Sequence, residues 1–471
     1  MNIRLNLLII FVLQALFFAC KTTDKVLLPE TPVPNSFRNA EVSSDDSSSI
    51  ATIPWRDFFS DATLQLLIDT AIVHNIDLQL AIKNIAAAQA TLRQAKAGYI
   101  PNINLQVGAN SSNPSNNSLN GISLNQFLGT NHIEDYTAAL ALTWEADIWG
   151  KIKNQKAEAL ATYLQTEEAK KAVQTQIVSY VAQGYYNLLM LHEQLKIARQ
   201  NLALNDSTLS IIKEQYEVGE ITRLALEQAE AQRLAAASLI PDFEQQINIQ
   251  ENALSVLSGK LPAAIATKSG LDNIRIPEKI NSGVPSLLLS RRPDVKRAEL
   301  AVAAALANQR YTRANMYPSL VISAQAGVNS FKASNWFNIP ASVFGTVAGG
   351  ITQPILQRRQ LKTNYELATI DYEKNVIQFR QSVITAVGEV SDALIALNKL
   401  KEKQSIAVDR TKKLQSAIHN ADLLFNTGMA NYLEVITAQS NVLQSELELA
   451  QIKKAQLVAV VDLYRSLGGG W

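Results

Sequence analysis

Side chains that commonly carry out catalysis or bind metals are few and scattered in this sequence of 471 residues. It contains four histidines and one cysteine, and no two of them stand at a spacing that would bring them onto one metal ion. No hydrolase, zinc-protease, phosphate-binding or dinucleotide-binding motif is present. We therefore predict no catalytic site, no metal site and no enzymatic activity. The histidines are His74, His132, His192 and His419.

The overall charge is balanced, because 43 Lys and Arg face 42 Asp and Glu. A nucleic-acid partner would require a clustered basic surface, so we expect no nucleic acid. After residue 20 no apolar run reaches the roughly 18–20 residues that a spanning helix needs. If the chain crosses a bilayer, the sequence predicts that it does so with strands.

The single cysteine, Cys20, follows a short basic start and the apolar stretch Leu5–Ala19. This pattern predicts a signal peptide at residues 1–19. The residues Leu16-Phe17-Phe18-Ala19 before Cys20 resemble the lipobox of bacterial lipoproteins, although Leu is commoner at the place of Phe17. We expect a covalent N-acyl diacylglycerol on Cys20 and no other cofactor. An ordinary signal peptide with a chance cysteine is the alternative.

Residues 20–54 are rich in Pro, Ser, Thr and Asp. Such a composition cannot bury much apolar surface, so we predict an extended, lipid-anchored tether. Order is expected to begin near Trp55, where apolar residues start to recur at helical spacing.

An internal repeat organises the rest of the chain. Pro101 and Pro318 are 217 residues apart, and at the same offset Asp77 matches Asp294. Each copy has an Ala-rich helix that stops before its proline and continues into an alternating strand. We predict a first repeat at 55–259, a linker at 260–290 and a second repeat at 291–471.

Each repeat contains two segments in which apolar and polar residues alternate. The loop that joins the first pair, Ser111–His132, is long and polar, and the second, Ser330–Pro340, is shorter. Alternating segments of about ten residues are typical of transmembrane barrel strands, whereas a hairpin packed on a soluble core is the alternative. The predicted strands are Asn102–Asn110, Tyr136–Glu145, Ser319–Asn329 and Val343–Ile351.

The segments after the strands predict unusually long helices. One runs from Lys151 to about Tyr216 and returns to about Ser258, and the other runs from Gln360 to about Asn426. The second returns as Tyr432–Leu467. The turns of the two helix pairs match at an offset of 209, which places Gly219 on Gly428.

Two copies of the repeat supply only four strands, and closed membrane barrels begin at about eight. An open strand edge is not tolerated in lipid. If the strands span a membrane, the chain must therefore oligomerise, and three copies would supply twelve strands.

The arrangement resembles the outer-membrane efflux protein family, the TolC-like channel-tunnels, over residues 55–471. Within that family it is most similar to the lipoprotein branch that serves resistance-nodulation-division pumps. The resemblance is carried by Trp55–Phe59, by Trp144–Lys151, by Ser290-Arg291-Arg292-Pro293-Asp294-Val295 and by Leu467-Gly468-Gly469-Gly470-Trp471.

This resemblance implies a mainly α protomer with a membrane β-hairpin pair. A homotrimer would form a long α-helical barrel and a 12-stranded β-barrel in the cell outer membrane, extending into the periplasm. The expected partners are a periplasmic adaptor protein, an inner-membrane resistance-nodulation-division pump and outer-membrane lipid. The expected function is passive conduction of small molecules to the exterior.

The resemblance also points to particular residues. It implies that the two inter-helix turns dock the adaptor, although they could equally be plain turns. Glu434 falls on an acidic gate position of the family and could equally be a solvated helix charge. The family's next acidic position is Thr437 here, and a family arginine falls on Ala430. The turn residues are Val218, Gly219, Glu220, Ile221 and Thr222, and Thr427, Gly428, Met429, Ala430 and Asn431.

The alternative function is that of a structural periplasmic lipoprotein whose long helices form a coiled-coil scaffold without channel activity. The four alternating segments favour the channel, because a scaffold has no use for lipid-facing strands.

Overall fold

The structure is a computed structural model that describes residues 37–38, 49–274 and 285–471. The predicted signal peptide, Cys20 and most of the predicted tether lie outside the described residues. None of the helices in the described part of the chain has the length and apolarity needed to cross a membrane.

The first repeat contains six helices and two strands within the described residues. They are α1 (Trp55–Phe58), α2 (Ala62–His74), α3 (Ile76–Ala97), β1 (Asn102–Ser112), α4 (Leu119–Leu128), β2 (Ile133–Ala146), α5 (Lys151–Glu217) and α6 (Arg223–Leu257). A break separates α1 from α2 because the Asp61 carboxylate caps α2 by accepting a hydrogen bond from the Leu64 N–H, at 2.9 Å.

The second repeat follows the same order of helix, strand pair and long helix pair. Its elements are α7 (Leu288–Arg291), α8 (Pro293–Ala314), β3 (Ser319–Ser330), β4 (Val343–Thr352), α9 (Gln360–Asn426) and α10 (Tyr432–Ser466). The four strands form one antiparallel sheet in the order β1-β2-β3-β4.

The long helices confirm the sequence-based prediction closely. Helices α5 and α9 each contain 67 residues, and α6 and α10 each contain 35. At about 1.5 Å per residue, 67 residues extend about 100 Å. Each of the four predicted C-terminal ends lies within one residue of the observed end.

The connection between β1 and β2 differs from the prediction of a long polar loop over Ser111–His132. Both strands extend further than expected, to Ser112 and from Ile133, and helix α4 lies between them. The Ser118 hydroxyl caps α4 by accepting a hydrogen bond from the Gly121 N–H, at 3.1 Å. Gly129, with φ of +64°, ends it.

The main hydrophobic core lies where α2, α5, α9 and α10 meet, and Tyr185 is fully buried within it. Phe37, Ile50 and Ala51 belong to the same core. The prediction that residues 20–54 bury little apolar surface is therefore wrong for these three. An aromatic or aliphatic side chain gains free energy by leaving water even when its neighbours along the chain are polar.

Arg292 joins three helices at the edge of this core. Its side chain is 6% exposed and forms ion pairs with Asp294, at 2.6 Å, and with Glu389 of α9, at 2.8 Å. It also donates a hydrogen bond to the carbonyl of Ser466, the last residue of α10, at 3.1 Å. Burial alone would raise the pKa of Asp294, but the hydrogen bonds and charge of Arg292 lower it below its usual value.

Candidate functional site: the strand sheet and the helix turns

The register of the sheet brings the apolar residues of all four strands to one face. Directly opposed residues of antiparallel strands point to the same side. One such row crosses the sheet from Leu105 through Leu140 and Ala326 to Gly345. The adjacent row runs through Ile103, Leu142, Ala324 and Val347. On the two outer strands this face is well exposed in one chain, since Leu105 is 71% and Val347 82% exposed, whereas Leu142 and Ala324 on the inner strands are half-buried.

The opposite face carries most of the polar residues of the strands. One row runs from Asn104 through Ala141 and Gln325 to Thr346. Asn102, Gln106 and Ser323 lie on the same face. The sheet is therefore amphipathic, as a wall between lipid and water must be.

Strands β1 and β4 form the two outer edges of the sheet. Within the described residues each of them pairs with one neighbour only, β1 with β2 and β4 with β3. Each edge therefore offers a row of backbone N–H and C=O groups for pairing with another strand.

The two predicted docking turns lie together at the far end of the long helices. Gly219 and Gly428 adopt φ of +82° and +71°, a conformation that favours glycine. The next helix is capped in each case. The Thr222 hydroxyl accepts from the Ala225 N–H, at 3.4 Å, and the Asn431 amide oxygen accepts from two N–H groups, at 3.0 and 3.1 Å.

A small hydrophobic cluster, separate from the main core, holds these turns to each other. Ile221 of the first turn and Ala430 of the second both pack against it. Val218 and Met429 point away from the cluster and are 72% and 73% exposed. The turns therefore present apolar side chains to solvent. The buried members of this turn cluster are Leu209, Ile212, Ala229, Phe425 and Val435.

Sequence reasoning missed the polar link between the two helix pairs. The Tyr432 hydroxyl of α10 donates to the Gln228 side-chain oxygen of α6, at 2.7 Å. These residues are 204 positions apart, so no local pattern could have paired them. Ala225 lies one helical turn before Gln228, and Ala430 lies two residues before Tyr432.

A second missed feature is a buried polar contact between α5 and α10. Gln439 is 1% exposed, and its amide N–H donates to the Thr208 hydroxyl at 2.7 Å. Asn201 and Asn205 are buried beside it on α5. This contact lies between the main core and the turn cluster, so apolar packing joins α5 and α10 on either side of these amides.

Glu434 lies in the first turn of α10. It is exposed, its backbone N–H donates to the Asn431 cap, and its carboxylate forms no ion pair with the described residues. The histidines are not brought together, and the described residues contain no group of three or more potential metal ligands.

Comparison with known proteins agrees with this geometry. The model of the outer membrane efflux protein family matches residues 67–260 and 284–469. The cation efflux system protein CusC of Escherichia coli O6:H1 is 31% identical over 459 residues, which cover 96% of each chain. The probable outer membrane lipoprotein SilC of Salmonella typhimurium is 28% identical over 94% of each chain.

A crystal structure of CusC, described in terms of folding and transmembrane channel formation, superposes with a TM-score of 0.83. It is 29% identical and covers 96% of this chain and 100% of that one. The chain therefore belongs to the outer membrane efflux protein family, whose members are the outer-membrane channels of tripartite efflux pumps.

Proposed function

We propose that three copies of this chain close their sheets into one twelve-stranded barrel and form a passive exit duct. Strand β4 of one copy pairs with β1 of the next, which satisfies both open edges at once. The apolar face then meets lipid, and the polar face lines a water-filled passage. The long helices extend the duct away from the membrane.

The observation that carries this proposal is the uninterrupted register of the sheet. A slip of one residue between any two strands would move a whole apolar set to the other face. Instead, the rows of all four strands agree across ten or more residues. A coiled-coil scaffold would gain nothing from an exposed apolar sheet.

Purified protein in mild detergent tests the duct directly. We expect an oligomer that dissociates only on heating in a gel assay, and stepwise ion conductance after its insertion into a planar bilayer. A monomer that is released from membranes without detergent and gives no conductance would contradict the proposal.

We further propose that the two turns dock a periplasmic adaptor, which links the duct to an inner-membrane resistance-nodulation-division pump. The variant Val218→Asp/Met429→Asp places charges on both exposed apolar side chains without touching the turn cluster. We expect normal oligomer but at least a 10-fold loss of adaptor capture, because a desolvated carboxylate at an interface is unfavourable. Crosslinking to the adaptor in cells measures this.

The matched control is Ile406→Asp, since Ile406 is 70% exposed on the shaft of α9. Equal adaptor capture by the turn variant and the wild type would rule out the turns as the docking site. Equal loss in the turn variant and in the Ile406 control would show a general effect of charge.

We propose that Glu434 contributes a ring of three carboxylates near the turns in the trimer. Such a ring attracts cations and opposes anions. We expect Glu434→Gln to lower the ratio of cation to anion permeability, measured from reversal potentials in asymmetric salt. Glu402→Gln, on the shaft of α9, should leave the ratio unchanged. An unchanged ratio in both variants would mean that Glu434 is only a solvated charge.

We also propose that Cys20 carries the lipid anchor. Support comes from the apolar stretch before it and from the description of the relative SilC as a probable outer membrane lipoprotein. The intact mass of the mature protein should include three acyl chains and a glycerol, and an unmodified mass would contradict this.

A further inference from the structure

Positive charge is concentrated at one end of the strand sheet. All four strands meet helices α3, α5, α8 and α9 at this end, either directly or through a few residues. At this end, a stretch of twelve residues adjoins each strand. The four stretches together contain ten Lys or Arg and two carboxylates, Asp147 and Glu158. The two connections at the other end, 113–132 and 331–342, contain a single charged residue, Lys332. The chain as a whole has a net charge of only +1, so this asymmetry is local.

Basic residues flank every strand at this end. Arg93 and Lys96 precede β1, and Arg310 and Arg313 precede β3. Three lysines follow β2, and Arg358, Arg359 and Lys362 follow β4. We call these ten residues the basic collar. The three lysines after β2 are Lys151, Lys153 and Lys156.

Much of the basic collar is exposed to solvent. Arg93, Lys96, Lys153, Arg358 and Lys362 are all exposed. Of these, Arg358 forms no side-chain hydrogen bond or ion pair with the described residues, whereas its neighbour Arg359 pairs with Glu366 at 3.2 Å. Lys151 also pairs with Glu145, at 3.1 Å, whereas no ion pair neutralises the charge of Arg358 within the described residues.

A neighbouring copy would not neutralise the charge of Arg358 either. In the proposed trimer, β4 lies beside β1 of the next copy, and so Arg358 lies near the end of that copy's α3. The sequence has no Asp or Glu from residue 78 to residue 133. The adjoining edge instead adds its own Arg93 and Lys96.

Apolar and aromatic groups accompany the charges. Ile355 and Leu356, directly before the arginines, are 85% and 93% exposed. The rings of Trp149 and Tyr317 stack at 5.0 Å between centroids, close to the ends of β2 and β3. Apolar side chains, aromatic rings and then Lys or Arg form the usual order across the boundary between hydrocarbon and headgroups.

The backbone at the arginines is also unusual. Arg358 and Arg359 have φ of +48° and +65°, and the equivalent of Arg359 in the first repeat is Gly150, with φ of +70°. Glycine would adopt this conformation without strain. The second repeat therefore keeps an arginine where the backbone favours glycine, which indicates a use for the side chain.

From these observations we infer that the basic collar binds the phosphate groups of anionic phospholipids in the membrane leaflet at this end of the sheet. The inference rests on the proposed membrane position of the strands. The headgroup phosphates would lie level with Arg358 and Lys362, while the acyl chains would lie against the apolar face. The lipid class that fits is a phosphodiester with net negative charge, such as phosphatidylglycerol.

Titration of the full-length protein in detergent, followed by native mass spectrometry, tests this. We expect phosphatidylglycerol to bind more tightly than phosphatidylcholine. The variant Arg358→Gln/Lys362→Gln should weaken phosphatidylglycerol binding on the order of 10-fold, since two surface cations are lost. Binding of phosphatidylcholine should be unchanged.

The control is Lys412→Gln/Lys413→Gln, which makes the same charge change on exposed residues of α9, about 80 Å away at 1.5 Å per residue. Equal affinity for the two lipids in wild type, or equal loss in both variants, would overturn the inference. Displacement of the lipid by the same concentration of inorganic phosphate would show a site for free anions and would also overturn it.

A measurement on the wild type alone covers the case in which the variant misfolds. Raising NaCl from about 0.05 M to about 0.5 M should shrink the preference for phosphatidylglycerol, because exposed charges are screened. A preference that does not respond to salt contradicts the basic collar. A wild-type protein that forms the oligomer and conducts ions but binds the two lipids with equal affinity would reject the inference and leave the duct intact.

Discussion

Replacing Leu140 by arginine is expected to abolish the stable oligomer in the outer membrane. Leu140 lies midway along β2 on the apolar face, between Leu105 and Ala326. An arginine at the bilayer midplane on the lipid side of a barrel is unfavourable by about 2–4 kcal/mol. A symmetric trimer would bear this penalty three times. The amount of heat-dissociable oligomer in outer-membrane fractions measures the effect.

The adjacent residue provides a matched control at the same depth. Ala141 lies on the opposite face, between Asn104 and Gln325, so Ala141→Arg should point into water and leave most of the oligomer in place. If the two variants assemble equally well, the assignment of the faces is wrong. If Ala141→Arg is the more damaging, the polar face is the one that meets lipid.

Replacing Arg292 by alanine is expected to give the largest loss of stability outside the membrane. The change leaves the Glu389 and Asp294 carboxylates and the Ser466 carbonyl without their shared partner. Removing one member of a buried ion pair typically costs about 3–5 kcal/mol. Because Asp294 and Glu389 are 44% and 34% exposed, we expect the lower end, about 3 kcal/mol. The midpoint of thermal loss of helical circular dichroism measures it.

The control for this variant is Arg297→Ala, an exposed arginine on the same helix. The effect should also depend on pH. The folded pKa of Asp294 is lowered, so its contribution is present above the unfolded pKa of about 3.9 and is lost as pH falls through the folded value. The difference between wild type and Arg292→Ala should therefore shrink below about pH 4. A difference that is unchanged at low pH would contradict a role for this ion pair.

The long helices and the strands could be predicted because their signals are local. The glycines at the two turns, Gly219 and Gly428, and the prolines Pro101 and Pro318 fix the ends of the neighbouring helices to within a few residues. Helix α4 was missed because Asn, Ser and Gly dominate its surroundings, although Ser118 is a favourable N-cap that could have signalled it.

The remaining features depend on contacts between distant parts of the chain. The motif around Arg292 is recognisable in the sequence. The burial of the Arg292 side chain against Glu389 and Ser466, however, involves residues 97 and 174 positions away. The same holds for Tyr432 and Gln228 at the turns. Burial of Phe37 could not be predicted from the polar composition of residues 20–54, because composition does not show which single side chain packs into the hydrophobic core.

The equal lengths of the paired helices have a consequence for assembly. Since α5 and α9 match residue for residue, as do α6 and α10, and both turns pack on one cluster, neither hairpin protrudes past the other. Three proposed copies would then end in six nearly equivalent corners on a level rim. A partner ring with six repeating units could meet that rim without a step, even though the duct itself has only threefold symmetry.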